Sequence, residues 1–423
     1  MPDSRNMIGC QIFHRANLPE DWSCEPLGNR IKLRYGVGLT EESRVEGKYN
    51  VYGSNGIVGT HNEALVDAPG ILIGRKGSVG AVHYAEEPFF PIDTVYFVER
   101  LRDDSFRYLY YLLDYLNLSR LNAATGVPGL TRKDALSLRG AFPQPDEQIA
   151  IANILDAVDE AIKRTRTSLE KAWTVKCGVL QKLLTCGVGK SGEVRNYEDS
   201  PEQFKPSRIG LIPAEWEVSR VGVEFNITAG FTLGEHRRPR VNKRKYLRVA
   251  NVQRDKILLD DVAELEASDK EMEGMLLEEN DLLVVEGHAN PEEIGRCARV
   301  EKEAVGLTFQ NHLYRLRAKR LNPRFACLWL NSYWSRSYWR RMCATSSGLN
   351  TINQRLLKAL LVVVPNLEEQ KRIVTFAMAQ DTFIQNELTN LQGLEKLKKG
   401  LMQDLLTGKV RVKQLVTAES AGD

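Results

Sequence analysis

The chain has few cysteines, no long apolar run and little net charge, and each shortage narrows the classes of function open to it. Seven cysteines are scattered over 423 residues: Cys10, Cys24, Cys177, Cys186, Cys297, Cys327 and Cys343. The count is odd and no C-x-x-C pair occurs, which argues against a disulfide framework and against a zinc site. The six histidines show no H-E-x-x-H or comparable spacing, so no metal ligand set is expected. No apolar run approaches the roughly 18 residues of a membrane span. Met1-Pro2-Asp3-Ser4-Arg5 lacks the basic-then-apolar pattern of a signal peptide. A cytoplasmic protein without membrane contact is the expectation. A formal charge of +3 neither demands nor excludes nucleic acid, because a DNA reader needs local basic patches rather than a high total.

Catalytic signatures are missing as well. Gly187-Val-Gly189-Lys190-Ser191 invites comparison with a phosphate-binding loop, but the position that loop requires as its first glycine is Leu184. No G-x-G-x-x-G follows a strand, and no Asn-Pro-Pro-Tyr or Asp-Pro-Pro-Tyr motif of an amino-methyltransferase is present. Pro145-Asp146 has no E-x-K strand downstream to make a nuclease site. No nucleophile–base constellation stands out. The sequence therefore points to a binding protein with no catalytic residue, metal or cofactor of its own. A self-contained methyltransferase or nuclease is the enzyme alternative that these absences disfavour.

What the sequence does contain is an internal repeat. Pro143-Gln-Pro-Asp-Glu-Gln148 corresponds to Pro365-Asn-Leu-Glu-Glu-Gln370, and 365 − 143 = 222. Gln181-Lys-Leu-Leu-Thr185 corresponds to Gln403-Asp-Leu-Leu-Thr407 at the same offset, with the identities Ile151/Ile373, Asp159/Asp381, Ile162/Ile384 and Leu169/Leu391 between them. A second signal opens each half: Leu18-Pro-Glu-Asp-Trp22 and Ile212-Pro-Ala-Glu-Trp216, where 216 − 22 = 194. The regions between these signals differ in length by 222 − 194 = 28 residues and differ in sequence.

The repeated segments predict long helices. Ile151, Leu155, Val158, Ile162, Leu169, Leu180 and Leu183 fall at three- and four-residue steps, as do Ile373, Ala377, Ile384, Leu391, Leu394, Leu401 and Leu405. Proline and acidic residues open each segment, and Gly187 and Gly408 close them. A helix over 146–186 is roughly 60 Å long. One apolar stripe needs a partner, and the repeat supplies it. The expected fold class is α+β: two mixed α/β domains separated by two long antiparallel coiled-coil helices, with a pseudo-two-fold internal repeat. The expected boundaries are a first domain over 1–145, a helix over 146–186, a linker over 187–209, a second domain over 210–365, a helix over 366–408 and a tail over 409–423.

Within the first domain, short β-type runs (Ile71–Ile73, Val79–His83, Thr94–Val98) alternate with Gly, Asn and Ser turns. Tyr52, Ser54, Arg75, Lys76 and Ser78 sit in Gly-rich turns suited to phosphate approach. Asn50 and Asn55 carry amides of the kind that pair with adenine edges. In the second domain, six of the nine residues over 237–245 are cationic (Arg237, Arg238, Arg240, Lys243, Arg244, Lys245), which suits a loop on a DNA backbone. Arg248, Asn251 and Gln253 follow on an expected strand. Glu286, His288 and Asn311 stand near other expected strand ends, with Arg248, Asn251, Glu286 and Asn311 as candidate base readers. Each domain closes on a Gly-containing segment, Thr125–Lys133 with Arg132 and Lys133 in the first, and Thr345–Asn350 in the second.

The order and duplication of these signals resemble the specificity subunits of Type I restriction–modification systems. The resemblance runs over residues 15–410. It is carried by Tyr52-Gly-Ser-Asn-Gly56, Gly74-Arg75-Lys76-Gly77-Ser78 and Pro91-Ile-Asp93-Thr94, and by the duplicated Pro-x-x-(Asp/Glu)-Glu-Gln and Gln-x-Leu-Leu-Thr signatures. It implies two target-recognition domains on double-stranded DNA and a bipartite, asymmetric target. It also implies two methyltransferase (M) subunits that methylate adenine N6 with S-adenosylmethionine, and two restriction/translocase (R) subunits that use ATP and Mg. The remaining alternative is a coiled-coil structural or regulatory DNA-binding protein without restriction–modification partners.

Overall fold

A computed structural model describes residues 13, 17–121, 129–343 and 350–412. The segments 125–128 and 345–349, singled out above, lie outside the described residues, as does the N-terminal pentapeptide. The chain forms two compact units, Met1–Ser168 with Glu387–Asp423, and Leu169–Asn386. Both mix sheet and helix.

The first unit contains β1 (Ser23–Pro26), β2 (Ile31–Tyr35), β3 (Tyr49–Gly53), β4 (Gly56–His61), β5 (Gly70–Gly74), β6 (Val82–Ala85), β7 (Phe89–Pro91), β8 (Val95–Arg100) and β9 (Arg139–Phe142). β1 pairs with β9, β2-β8-β5-β6 form one sheet, and β4-β3-β7 form another. In the latter, β3 runs parallel to β7. Ile71 and Ile73 on β5 pack with Tyr96 and Val98 on β8 and with Tyr108, Leu109 and Leu112 of the helix Phe106–Tyr115.

The second unit opens on a hairpin of β10 (Phe204–Ser207) and β11 (Gly210–Pro213), followed by β12 (Glu217–Arg220), β13 (Phe225–Ala229) and β14 (Lys243–Leu247). Then come β15 (Val252–Gln253), β16 (Lys256–Ile257), β17 (Ala263–Glu266), β18 (Leu282–Val285) and β19 (Gly287–His288). β20 (Cys297–Arg299), β21 (Thr308–Phe309), β22 (Leu313–Ala318), β23 (Asn350–Thr351) and β24 (Leu361–Val364) complete it. Here β12 pairs with β24, β13-β22-β18-β20 form one sheet and β17-β14-β21 another, with β14 parallel to β21. The stretch expected to be a linker thus carries part of a hairpin, and residues 248–251, expected on a strand, form a 3-10 turn over Val249–Asn251.

The two domains, unlike in sequence, share one topology. Tyr35 faces Tyr96 across β2–β8 as Ala229 faces Tyr314 across β13–β22. Gly74 faces Val95 as Val285 faces Leu313. The Gly36 and Gly230 N–H groups donate to the Val95 and Leu313 carbonyls. A Cβ on Gly36 would lie 2.1 Å from the Ile92 carbonyl oxygen, and one on Gly230 2.3 Å from that of Gln310. Both positions therefore require glycine. The principal difference is the connection from the strand next to the parallel pair: a tight Ser54–Asn55 turn in the first unit, and residues 248–262, with β15 and β16, in the second.

Each unit is completed by one half of each long helix, Pro145–Cys186 and Leu367–Leu406. In the first unit Asp159 pairs with Lys398 at 2.7 Å and Arg166 with Glu395 at 2.7 Å. Residue numbers rise along one helix as they fall along the other, so the halves run antiparallel. In the second unit Lys176 pairs with Asp381. Asp159/Asp381 and Lys176/Lys398 are repeat-equivalent, so each unit holds the same ion pair with the helices exchanged. Ile151, Leu155, Leu405 and Leu406 join the first core, and Leu183, Leu184, Ile373 and Val374 join the second.

Within each unit the tryptophan signal, Pro-Glu-Asp-Trp22 or Pro-Ala-Glu-Trp216, meets its own (Asp/Glu)-Glu-Gln signal. Trp22 Nε1 donates to the fully buried Glu147 carboxylate at 3.1 Å, and Arg411 Nε donates to the same group at 2.8 Å. In the second unit Trp216 Nε1 donates to buried Glu369 at 3.0 Å and Arg195 Nη1 donates at 2.5 Å. The Gly187–Ser191 stretch belongs to this clasp: the Val188 N–H donates to Glu369 at 2.9 Å. The neighbouring glutamines bind the N-cap of the equivalent helix in each domain, Gln148 accepting from the Ser105 N–H at 2.9 Å ahead of the helix Phe106–Tyr115 and Gln370 from the Asn322 N–H at 2.7 Å ahead of the helix Pro323–Leu330.

Candidate nucleic-acid interface

In the first unit the Ser54–Asn55 turn, the loop after β5 and the start of the helix Arg132–Ser137 come together. Ser78 Oγ lies 3.4 Å from Asn55 Oδ1, and His83 Nε2 lies 3.1 Å from the Ser54 carbonyl. Arg75 donates from Nε and Nη2 to the Asp93 carbonyl at 3.1 and 2.7 Å. The exposed Tyr35 ring takes two guanidinium groups, Arg132 at 4.4 Å and Arg75 at 5.3 Å from its centroid. Lys76, Arg132 and Lys133 are exposed beside them. The Leu130 N–H donates to the Arg75 carbonyl, tying the two segments together. Tyr52 and Asn50 do not join this group. Tyr52 is buried against Phe89 (ring centroids 5.7 Å apart), and burial raises its phenol pKa. Asn50 lies further back on β3, opposite Thr60.

In the second unit the basic run divides. Arg237 pairs with Glu271 at 2.8 Å and stacks on Phe231, Arg238 pairs with Glu235, and Arg244 pairs with Asp269. Glu266 accepts the backbone N–H groups of Arg240, Val241 and Asn242, which hold its carboxyl below the usual range and fix the loop. Hydrogen bonds to Ser268, together with Arg237, lower the Glu271 carboxyl to about 2. Arg240, Lys243 and Lys245 are exposed and have no side-chain ion pair among the described residues.

Arg248 and Asn251 are occupied by the fold. Arg248 Nη2 binds the Asp261 carboxylate at 2.6 Å. Asn251 is buried; its carbonyl oxygen accepts the Arg248 N–H and its amide donates to the Leu258 and Asp261 carbonyls. With its amide spent on the 248–262 excursion, Asn251 is withdrawn as a base reader. Glu286 lies at the end of β18, 2.8 Å from His312 Nδ1 and 3.1 Å from the Tyr314 hydroxyl. Burial, followed by the Glu286 charge, pushes the Tyr314 phenol up to about 12. His288 accepts the Asn290 N–H, and the Asn311 N–H donates to the Phe231 carbonyl. Neither Tyr35 nor Tyr314 stands out in the sequence, whereas His312 lies in the polar Gln310-Asn311-His312 run. The available signal was the offset of 194, which continues to Gly36/Gly230 immediately after Tyr35/Ala229.

Among the described residues no group of three or more His, Cys, Asp or Glu side chains could hold a metal ion, and no helix is long and apolar enough to cross a membrane. The family described as Type I restriction modification DNA specificity domain matches residues 32–171 and 213–399. The chain belongs to this family. The specificity subunit of the Type I restriction enzyme MjaVIII from Methanocaldococcus jannaschii is 26% identical over 95% of this chain and 96% of its own. That of StySPI from Salmonella potsdam is 23% identical over 90% and 88%. Among solved structures, the S subunit of a Type I system from M. genitalium aligns with TM-score 0.58 at 18% identity, covering 92% of this chain and 96% of its own. A chain from a Type I complex solved to describe its assembly and conformational transition aligns with TM-score 0.58 at 13% identity. These likenesses establish the fold. As a member of this family, the chain is a DNA-specificity component of a Type I restriction–modification system.

Proposed function

We propose that each unit reads one half of a bipartite, asymmetric DNA target, while the long helices form a coiled-coil spacer with pseudo-two-fold symmetry and dock methyltransferase subunits. The observation that carries this reading is the duplicated topology with divergent surfaces. One scaffold repeated with different exposed residues suits two different half-sites, whereas two identical readers would suit a palindrome. The reciprocal Asp159–Lys398 and Lys176–Asp381 pairs support the antiparallel spacer. A spacer of roughly 60 Å limits half-site separation to about 18 base pairs at about 3.4 Å each. Exposed Trp173, Phe376 and Phe383 on the helices supply apolar surface for a partner. In this proposal two methyltransferase subunits transfer a methyl group from S-adenosylmethionine to adenine N6. Two translocase–nuclease subunits use ATP and Mg, and none of these cofactors binds this chain.

The test is co-expression with the methyltransferase partner and mapping of methylated adenines across a genome. The expected result is a bipartite motif, one half of which changes when residues 1–145 are exchanged for those of a relative. Methylation by the chain alone would overturn the reading in favour of an enzyme. Loss of all salt-dependent DNA affinity, with the partner present, would favour a structural coiled-coil protein.

A further inference from the structure

The shared topology places chemically opposite residues at one position of the two units. Arg75 follows the end of β5 and Glu286 the end of β18. The Arg75 carbonyl accepts the Leu130 N–H at 3.0 Å, and the Glu286 carbonyl accepts the Ile352 N–H at 2.6 Å. Leu130 and Ile352 are themselves related by the 222-residue offset (352 − 130 = 222). Tyr96 and Tyr314, which hold equivalent register positions on β8 and β22, point their hydroxyls at the Leu130 and Ile352 carbonyls, at 2.9 and 3.4 Å. The backbone frame is therefore the same, and only the side chains mounted on it change.

On this frame the first unit mounts cations. Arg75 spends two of the five N–H donors of a guanidinium on the Asp93 carbonyl. The other donors are left for a ligand, and Arg132 stands on the same Tyr35 ring. The second unit mounts an anion. Among the described residues the Glu286 side chain meets two donors, His312 and the Tyr314 hydroxyl, while a carboxylate offers about four acceptor sites. Its side chain keeps 23% of its exposure.

We propose that residues 75 and 286 are the matched specificity-determining position of the two units. Arg75 takes an acceptor-bearing guanine edge, and Glu286 takes the amino group of a cytosine. Tyr35 orients the first group and His312 with Tyr314 the second, as positioning residues. The inference rests on the half-site reading proposed above and adds to it which position differs.

The experiment selects bound sequences from a duplex pool with randomised positions, using the full chain with its methyltransferase partner. Arg75→Gln is expected to lose roughly ten- to hundredfold discrimination at one base pair of one half-site, leaving the other half unchanged. Glu286→Gln is expected to do the same in the other half only. Arg75→Lys and Glu286→Asp report on shape as well as charge, and melting curves accompany every variant. If a variant at 75 fails to fold, Arg132→Gln, on an exposed side chain, tests the same node. Uniform loss of affinity with unchanged base preference, from folded variants, overturns the proposal. Failure of the unaltered chain to select any bipartite sequence overturns the half-site reading itself.

Discussion

Removing the Glu369 carboxylate strips the acceptor from Trp216, from the Val188 N–H and from Arg195 at a point with no access to water. Breaking a buried charged pair of this kind typically costs about 3–5 kcal/mol. Glu369→Ala is therefore expected to lower the urea midpoint of the second unit, read by tryptophan fluorescence. Glu147→Ala is expected to act likewise on the first. Glu224 gives a pH-dependent counterpart. Arg320 donates to both its oxygens at 2.9 Å and holds the carboxyl below its ordinary value. A depressed folded-state pKa contributes stability that is present above the ordinary carboxylate value and lost as pH falls through the depressed one. Glu224→Gln is thus expected to show a shallower acid-induced fall in melting temperature than the unaltered chain. Gly36→Ala and Gly230→Ala force a methyl group onto carbonyl oxygens and are expected to destabilise by about 1–3 kcal/mol through local overpacking, seen as a lowered melting temperature.

At the scale of elements, the long helices were legible because apolar residues at three- and four-residue steps state directly which face is buried, and Ile151, Leu155, Ile373 and Leu405 are buried accordingly. The common topology of the two domains was not legible. A sheet constrains which positions point inward far more than which residue fills them, so Tyr35 and Ala229 hold one register without resembling each other. Gly36 and Gly230 keep their identity because the backbone leaves no room for a Cβ, and Tyr96 and Tyr314 keep theirs while directing their hydroxyls at equivalent carbonyls. The basic run was visible as charge, but the acids that occupy it, Glu266, Asp269 and Glu271, arrive from the far side of the 248–262 excursion, beyond the reach of local reading. The helix ion pairs allow a direct check. Asp159 and Lys398 are partly exposed, so reversing either alone should cost about 1 kcal/mol or less. Asp159→Lys combined with Lys398→Asp should recover most of it in a double-mutant cycle followed by thermal melting.

For the molecule as a whole, DNA affinity should depend on the cations that the fold leaves unpaired rather than on the whole basic run. Replacing Arg240, Lys243 and Lys245 together by glutamine is expected to weaken binding to all sequences alike. The slope of log affinity against log salt should flatten by up to about 2.7, about 0.9 for each phosphate no longer neutralised, as measured by fluorescence anisotropy on a duplex across a salt series. Replacing Arg237 should instead loosen the loop that Glu271 and Phe231 hold. A change in sequence preference without a change in salt slope would show that the three cations face bases.

The clasp on Glu147 also sets an order of events during synthesis. The second unit is a continuous stretch of chain, Leu169–Asn386, whereas the first waits for Glu387 onward. As the polypeptide leaves the ribosome, the domain made first stands with an open seam where Leu405 and Leu406 belong, and Glu147 is without Arg411. The domain made second closes before it. The unit made first is thus the last to be sealed, and a chain truncated at residue 386 would carry one finished unit and one exposed core.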